Sequence, residues 1–151
     1  MPPHPTLPTI PVLNIPLFAG DLQQVVDYVL QLYQSEQPAN RLISARDAHG
    51  LVIAHQDPSF RQVQLKFDLI LSDGIPGVWV GRIKGARSIQ RYYGPDFFKE
   101  LMAASRTIPM RHFLCGGKES VAEQLRAVCE KKIRQSQCGW LFYSAFPRDE
   151  R

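Results

Sequence analysis

An aspartate stands where a short apolar run breaks, in Leu69-Ile70-Leu71-Ser72-Asp73-Gly74. A carboxylate at such a break can take a proton from an attacking hydroxyl. An aspartate beside a glycine also closes turns on its own backbone, and turn chemistry alone favours that role for Asp73. Two other breaks carry polar groups. Ser44 to Gly50 offers the Ser44 hydroxyl and the His49 imidazole, a donor or base that could equally bond a neighbouring backbone group. Gly116-Gly117-Lys118 would let backbone N–H groups approach an anion, with Lys118 adding charge. It lacks the full dinucleotide or Walker spacing, so a tight structural turn fits as well. Arg91 precedes Gly94-Pro95-Asp96 and could pair with a diphosphate or stay solvated. Asp96 suits a first helical turn, where the dipole favours it.

Other chemistries are excluded by what the chain lacks. There is no Asp-x-Asp pair for the metal of a sugar nucleotide, no Gly-x-Ser-x-Gly elbow and no His-Glu-x-x-His. The three cysteines, Cys115, Cys129 and Cys138, form no metal-ligand spacing, and an odd, scattered count argues for a reducing compartment. A net charge of +4 fits a phosphate or an acidic membrane surface. With no dense Lys/Arg run it does not argue for nucleic acid. No window approaches the roughly 18 apolar residues of a membrane-spanning helix, so any membrane contact is expected to be peripheral.

The elements that must position these residues follow from the pattern. Residues 1–10 are a proline-rich lead, expected to be extended or mobile. Residues 11–18, interrupted by Pro16, predict at best an edge strand. Asp21 is a candidate N-cap for a helix over 21–34, with Leu22, Val25, Val26, Val29, Leu32 and Tyr33 at helical spacing. Residues 41–46 predict a strand, 47–50 a turn, and Asp57-Pro58 the start of a helix. The apolar run ending at Asp73 predicts a central strand, and 76–84 a helix with Val78, Trp79 and Ile83 on its apolar side. A helix carrying Phe97, Phe98, Leu101 and Met102 follows Asp96. A strand over 110–115, a helix from Lys118 and a strand over 139–144 complete the series. Alternating strands and helices predict an α/β fold, a Rossmann-like, doubly wound, mainly parallel sheet in a single domain over 11–151. In such a sheet the three polar turns share one edge.

Taken in order, these segments resemble the WecG/TagA/CpsF glycosyltransferase family. The resemblance rests on Ser44 to Gly50, Asp57-Pro58-Ser59-Phe60, Asp68 to Pro76 with Val78-Trp79, Arg91, Gly94-Pro95-Asp96, and Phe113 to Gly117. It covers residues 10 to 148. The Asp-Gly segment followed by Arg and Gly-Pro-Asp is its most specific part. The resemblance implies a Rossmann-like transferase that moves a sugar, commonly N-acetylmannosamine, from a UDP-sugar donor to a polyprenyl-diphosphate-linked acceptor. This takes place at the cytoplasmic membrane face, in cell-surface polysaccharide synthesis. It implies an inverting reaction with Asp73 as the base. Ser44, His49, Gly74, Arg91, Gly94, Asp96, Gly116, Gly117 and Lys118 are implied on the substrates. No cofactor, metal or nucleic acid is expected, and self-association is left open. Ser44 stands for the family's threonine, while Arg46-Asp47 occupy the place of its usual asparagine. The family chain is expected to continue through a Pro-x-Gln-Glu segment and a basic region, with Tyr143 to Arg148 resembling the stretch just before them. A non-catalytic binding or assembly module, or an inactive remnant, is the competing reading.

Overall fold

A computed structural model describes residues 7–35, 40–115, 121–129, 131 and 138–142. The chain opens with a hairpin, β1 (Thr9–Val12) and β2 (Ile15–Phe18), paired antiparallel. Leu13 and Asn14 form its turn with φ of 49° and 64°, the two positive values that a two-residue hairpin turn needs. The sequence predicted one edge strand here. Two form because Pro11 and Pro16 face each other across the hairpin. That pair makes no ladder bonds, so the missing N–H groups are not called on.

Helix α1 (Leu22–Gln34) starts on a reciprocal cap: Asp21 accepts from the Gln24 N–H at 2.9 Å, and the Gln24 side chain accepts from the Asp21 N–H at 3.0 Å. Strand β3 (Ile43–Arg46) leads into α2 (Ala48–Gln56) and α3 (Pro58–Gln64). Asp47 caps α2 by accepting from Gly50 N–H, so the predicted turn shrinks to one residue and His49 joins the helix. Asp57 caps α3 ahead of Pro58, as expected. Next come β4 (Leu69–Ser72), buried throughout, α4 (Ile75–Ile83) and α5 (Gly94–Ala104). A single 3-10 turn, Ser105–Thr107, precedes β5 (His112–Cys115), α6 (Val121–Val128) and β6 (Cys138–Phe142).

Strands pair in the order β1-β2-β4-β3, with β4 parallel to both neighbours. Ile43 lies beside Leu69 and Arg46 beside Ser72. Alternation along β4 splits the core. Ile70 points to a cluster with Leu17, Leu51, Ala54, Val78 and Ile89, which α2 and α4 cover. Leu69 and Leu71 point to the opposite cluster, with Phe18, Val25 and Tyr92, which α1 covers. Helices thus lie on both faces of a mostly parallel sheet. With six α-helices among the described residues, this is a mixed α/β, Rossmann-like fold. The chain divides into two compact units, Met1–Phe98 and Lys99–Arg151, and the second holds β5 and β6 as a parallel pair.

Helix α4 corrects one expectation. Val78 is buried, but Trp79 and Ile83 are exposed, at 62% and 85%. Glycine makes the inward face instead: Gly77 and Gly81 are buried beside Val78. Among the described residues, no helix is long and apolar enough to cross a membrane.

Candidate functional site

The site is built at the carboxyl end of β4. Ser72, fully buried, donates its hydroxyl to the Gly74 carbonyl at 2.9 Å and so folds the chain sharply out of the strand. Gly77 follows from this. A Cβ there would sit 2.5 Å from the Ser72 Oγ, well inside contact distance. Asp73 lies at the bend, its side chain 38% exposed. Its N–H donates to the Arg46 carbonyl at 2.9 Å, and its carbonyl accepts from Arg91 Nε at 2.8 Å. Both backbone groups are therefore held by neighbouring segments, while the carboxylate is left for other work. Its Oδ1 is turned inward and has no hydrogen-bond partner among the described residues. Among the described residues the cation beside it is Arg91, whose Nη2 is 3.8 Å away, too long for a hydrogen bond but within ion-pair distance.

Arg91 is placed by its two successors. The Tyr92 N–H donates to the Ser72 carbonyl at 2.8 Å, which extends the β4 edge by one bond. The Tyr92 ring is buried against Phe18, with centroids 5.6 Å apart, and its hydroxyl donates to the Gly20 carbonyl. Burial pushes this phenol up, so it stays a neutral donor. The Arg91 guanidinium carbon lies 5.0 Å from the Tyr93 ring centroid, a cation–π distance. Sequence reasoning missed Ser72, Tyr92 and Tyr93. The one signal for them was their adjacency to Asp73 and Arg91.

On the other side, the turn after β3 touches the turn after β4. A Cβ on Gly74 would lie 3.3 Å from the Ala48 backbone nitrogen and 3.6 Å from the Asp47 Cα. The N-termini of α2 and α4 therefore meet beside Asp73. Asp47 caps α2, whereas Gly74, the N-cap of α4, supplies no side-chain bond to that helix's first N–H groups.

The remaining sequence candidates fall in several places. Gly74 is at the site. His49 is exposed in the first turn of α2, next in the chain to Ala48, whose backbone nitrogen approaches Gly74. Gly94 opens α5 three residues beyond Arg91, and open space surrounds it. Asp96 is exposed in the same first turn, its N–H donating to the Tyr93 carbonyl at 3.0 Å. Ser44 is not brought to the turn. It pairs with Ile70, three residues short of Asp73, which sets it about 10 Å back along the sheet. Arg46 turns to α3, where its Nε donates to the buried Gln64 and its guanidinium lies 5.8 Å from both the Phe60 and Phe67 rings. Gly116, Gly117 and Lys118 lie outside the described residues.

The second unit holds a hydroxyl–imidazole pair, Ser105 Oγ and His112 Nε2 at 2.8 Å. Ser105 is fully buried, and its hydroxyl also lies within hydrogen-bond distance of the Met102 carbonyl, at 3.2 Å.

A carboxylate and a guanidinium at the carboxyl ends of parallel strands, where two helix N-termini meet, suit an anionic substrate that gives up a proton nearby. The fold is that of a Rossmann-like α/β protein. The Glycosyl transferase WecG/TagA/CpsF family model matches residues 10–150, and the chain belongs to that glycosyltransferase family. No curated protein matches the chain.

Proposed function

We propose that the chain is an inverting hexosyltransferase with Asp73 as its base. The donor would be a UDP-sugar, the acceptor a polyprenyl-diphosphate-linked saccharide at the cytoplasmic membrane face, and the product a cell-surface polysaccharide precursor. One observation carries this reading: a carboxylate oxygen without a hydrogen-bond partner among the described residues, at the end of the central parallel strand and beside an arginine. The acceptor hydroxyl attacks the anomeric carbon of the donor. Its proton passes to the Asp73 carboxylate as the new C–O bond forms. The bond from the anomeric carbon to the diphosphate oxygen breaks, and UDP leaves with the electron pair. A single displacement with one base inverts the anomeric centre. In this reading Arg91 and the N-terminus of α4, which has no side-chain cap, face the charge that develops on the diphosphate. Gly94 and Asp96, and the Gly116-Gly117-Lys118 segment, belong to the same substrate-binding reading. In this reading His49 would position the sugar or diphosphate.

The test is Asp73→Asn, assayed for sugar transfer from UDP-N-acetylmannosamine to a polyprenyl-diphosphate acceptor. Loss of a general base lowers turnover by roughly 10²- to 10⁴-fold. Because the Asp73 side chain caps no helix, circular dichroism and melting temperature should stay unchanged. Wild-type turnover in this variant would remove Asp73 from the mechanism.

A further inference from the structure

Helix α4 shows an inverted amphipathicity. Its inward face is small: a Cβ on Gly81 would fall 2.8 Å from Ile89 Cδ1, as one on Gly77 would strike Ser72. Its large apolar residues face outward. Ile75, Trp79, Val80 and Ile83 are all exposed. At about 100° per residue they span an arc of roughly 140°. Arg82 lies just outside one margin of that arc and Lys84 just outside the other. A contiguous exposed apolar stripe of this kind marks an interaction surface.

Charge identifies the partner. From Gly74 to Pro95 the chain carries Arg82, Lys84, Arg87 and Arg91 and no carboxylate. Those four cations equal the net charge of the whole chain, +4. Arg82 and Lys84 donate to the backbone carbonyls of Ile89 and Pro11, and among the described residues neither pairs with a carboxylate. A second copy of the chain fits poorly, because two-fold pairing of the stripes would bring these cationic margins against each other. An anionic bilayer satisfies both features. Apolar side chains with a tryptophan enter the headgroup–acyl boundary, and flanking cations meet the lipid phosphates.

We infer that the Ile75–Trp79–Ile83 face of α4 docks on an anionic lipid surface. This rests on the reading of the acceptor as lipid-linked, and it adds a location. Ile75 lies two residues from Asp73, so a docked α4 holds the base-bearing turn at the headgroup level.

Co-sedimentation of the full chain with phosphatidylcholine vesicles, with and without phosphatidylglycerol, tests the inference. Wild type is expected to pellet with the anionic vesicles and to be released by salt. The pair Trp79→Ser and Ile83→Ser should bind at least about tenfold more weakly. The pair Arg82→Gln and Lys84→Gln should lose roughly fivefold per charge. Ile83→Ser alone, at the most exposed position, should already weaken binding while the melting temperature holds. Absence of wild-type binding, or equal binding by the serine variants, overturns the inference. So does a wild-type dimer that Trp79→Ser dissociates with vesicle binding unchanged. Asp73→Asn should bind vesicles normally. Failure of docking with transfer to a detergent-dispersed acceptor intact therefore removes the docking alone. Intact docking with full turnover by Asp73→Asn removes the proposed reaction alone.

Discussion

Arg91 combines three contacts that no other cation could supply together: Nε on the Asp73 carbonyl, Nη2 toward its carboxylate, and a planar face on Tyr93. Lysine would keep the charge and lose both the Nε bond and the stack. Arg91→Lys is therefore expected to lower kcat/KM for sugar transfer roughly tenfold or more, with the fold intact by circular dichroism. Wild-type kcat/KM would mean that Arg91 is a surface residue. Asp73 and Arg91 were legible in the sequence because each sits beside a feature that fixes backbone, an apolar run in one case and Gly94-Pro95 in the other. Ser44 was less legible. A hydroxyl near a strand end looks like a turn residue until pairing with Ile70 places it inside the sheet. Arg46 shows the same limit, since its two aromatic neighbours come from residues 14 and 21 positions away and only folding brings them near.

At the scale of the element, α4 rests on glycine. Gly77→Ala must displace either the helix or the buried Ser72 hydroxyl, a change expected to cost about 1–3 kcal/mol. Ser72→Ala in the same chain removes the obstructing oxygen and should restore part of the melting temperature. Failure of the double variant to recover any would place the strain elsewhere. Apolar periodicity identified the helix but not its inward side. Val78, Trp79 and Ile83 are all apolar, and the inward face is made by Val78 with Gly77 and Gly81, two residues with no side chain to read. Caps were the easier signal. Asp21 and Asp57 were read as caps and each bonds the first turn of the helix that follows, a local chemistry; Asp47 does the same for α2 but was read as part of a turn.

Across the whole molecule, acid should act on the two units at different pH. His112, in the second unit, is lowered from its ordinary value of 6.5 by burial. Asp68, in the first, is lowered from 3.8, chiefly by the Leu42 N–H and also by its 2.7 Å pair with Arg41. Both groups are depressed on folding, so both favour the deprotonated folded state. The contribution of His112 is complete above about 6.5 and is lost as pH falls through its folded value. That of Asp68 is complete above about 3.8 and is lost only on stronger acidification. Melting followed from neutral pH downward should show the first loss vanish in His112→Gln and the second in Asp68→Asn. A wild-type profile in either variant would exclude that residue. The opening hairpin was read as one edge strand, whereas from β3 onward the order of strands and helices among the described residues was legible. Their sheet partners were not, because pairing is a long-range property that local pattern does not encode. The hairpin has one more consequence. Pro11 lies on the outer edge of β1, where it offers no N–H, and its carbonyl is already taken by Lys84. An incoming strand would find nothing to pair with at Pro11, so the ladder along this margin is interrupted, which works against edge-to-edge polymerisation and strand exchange.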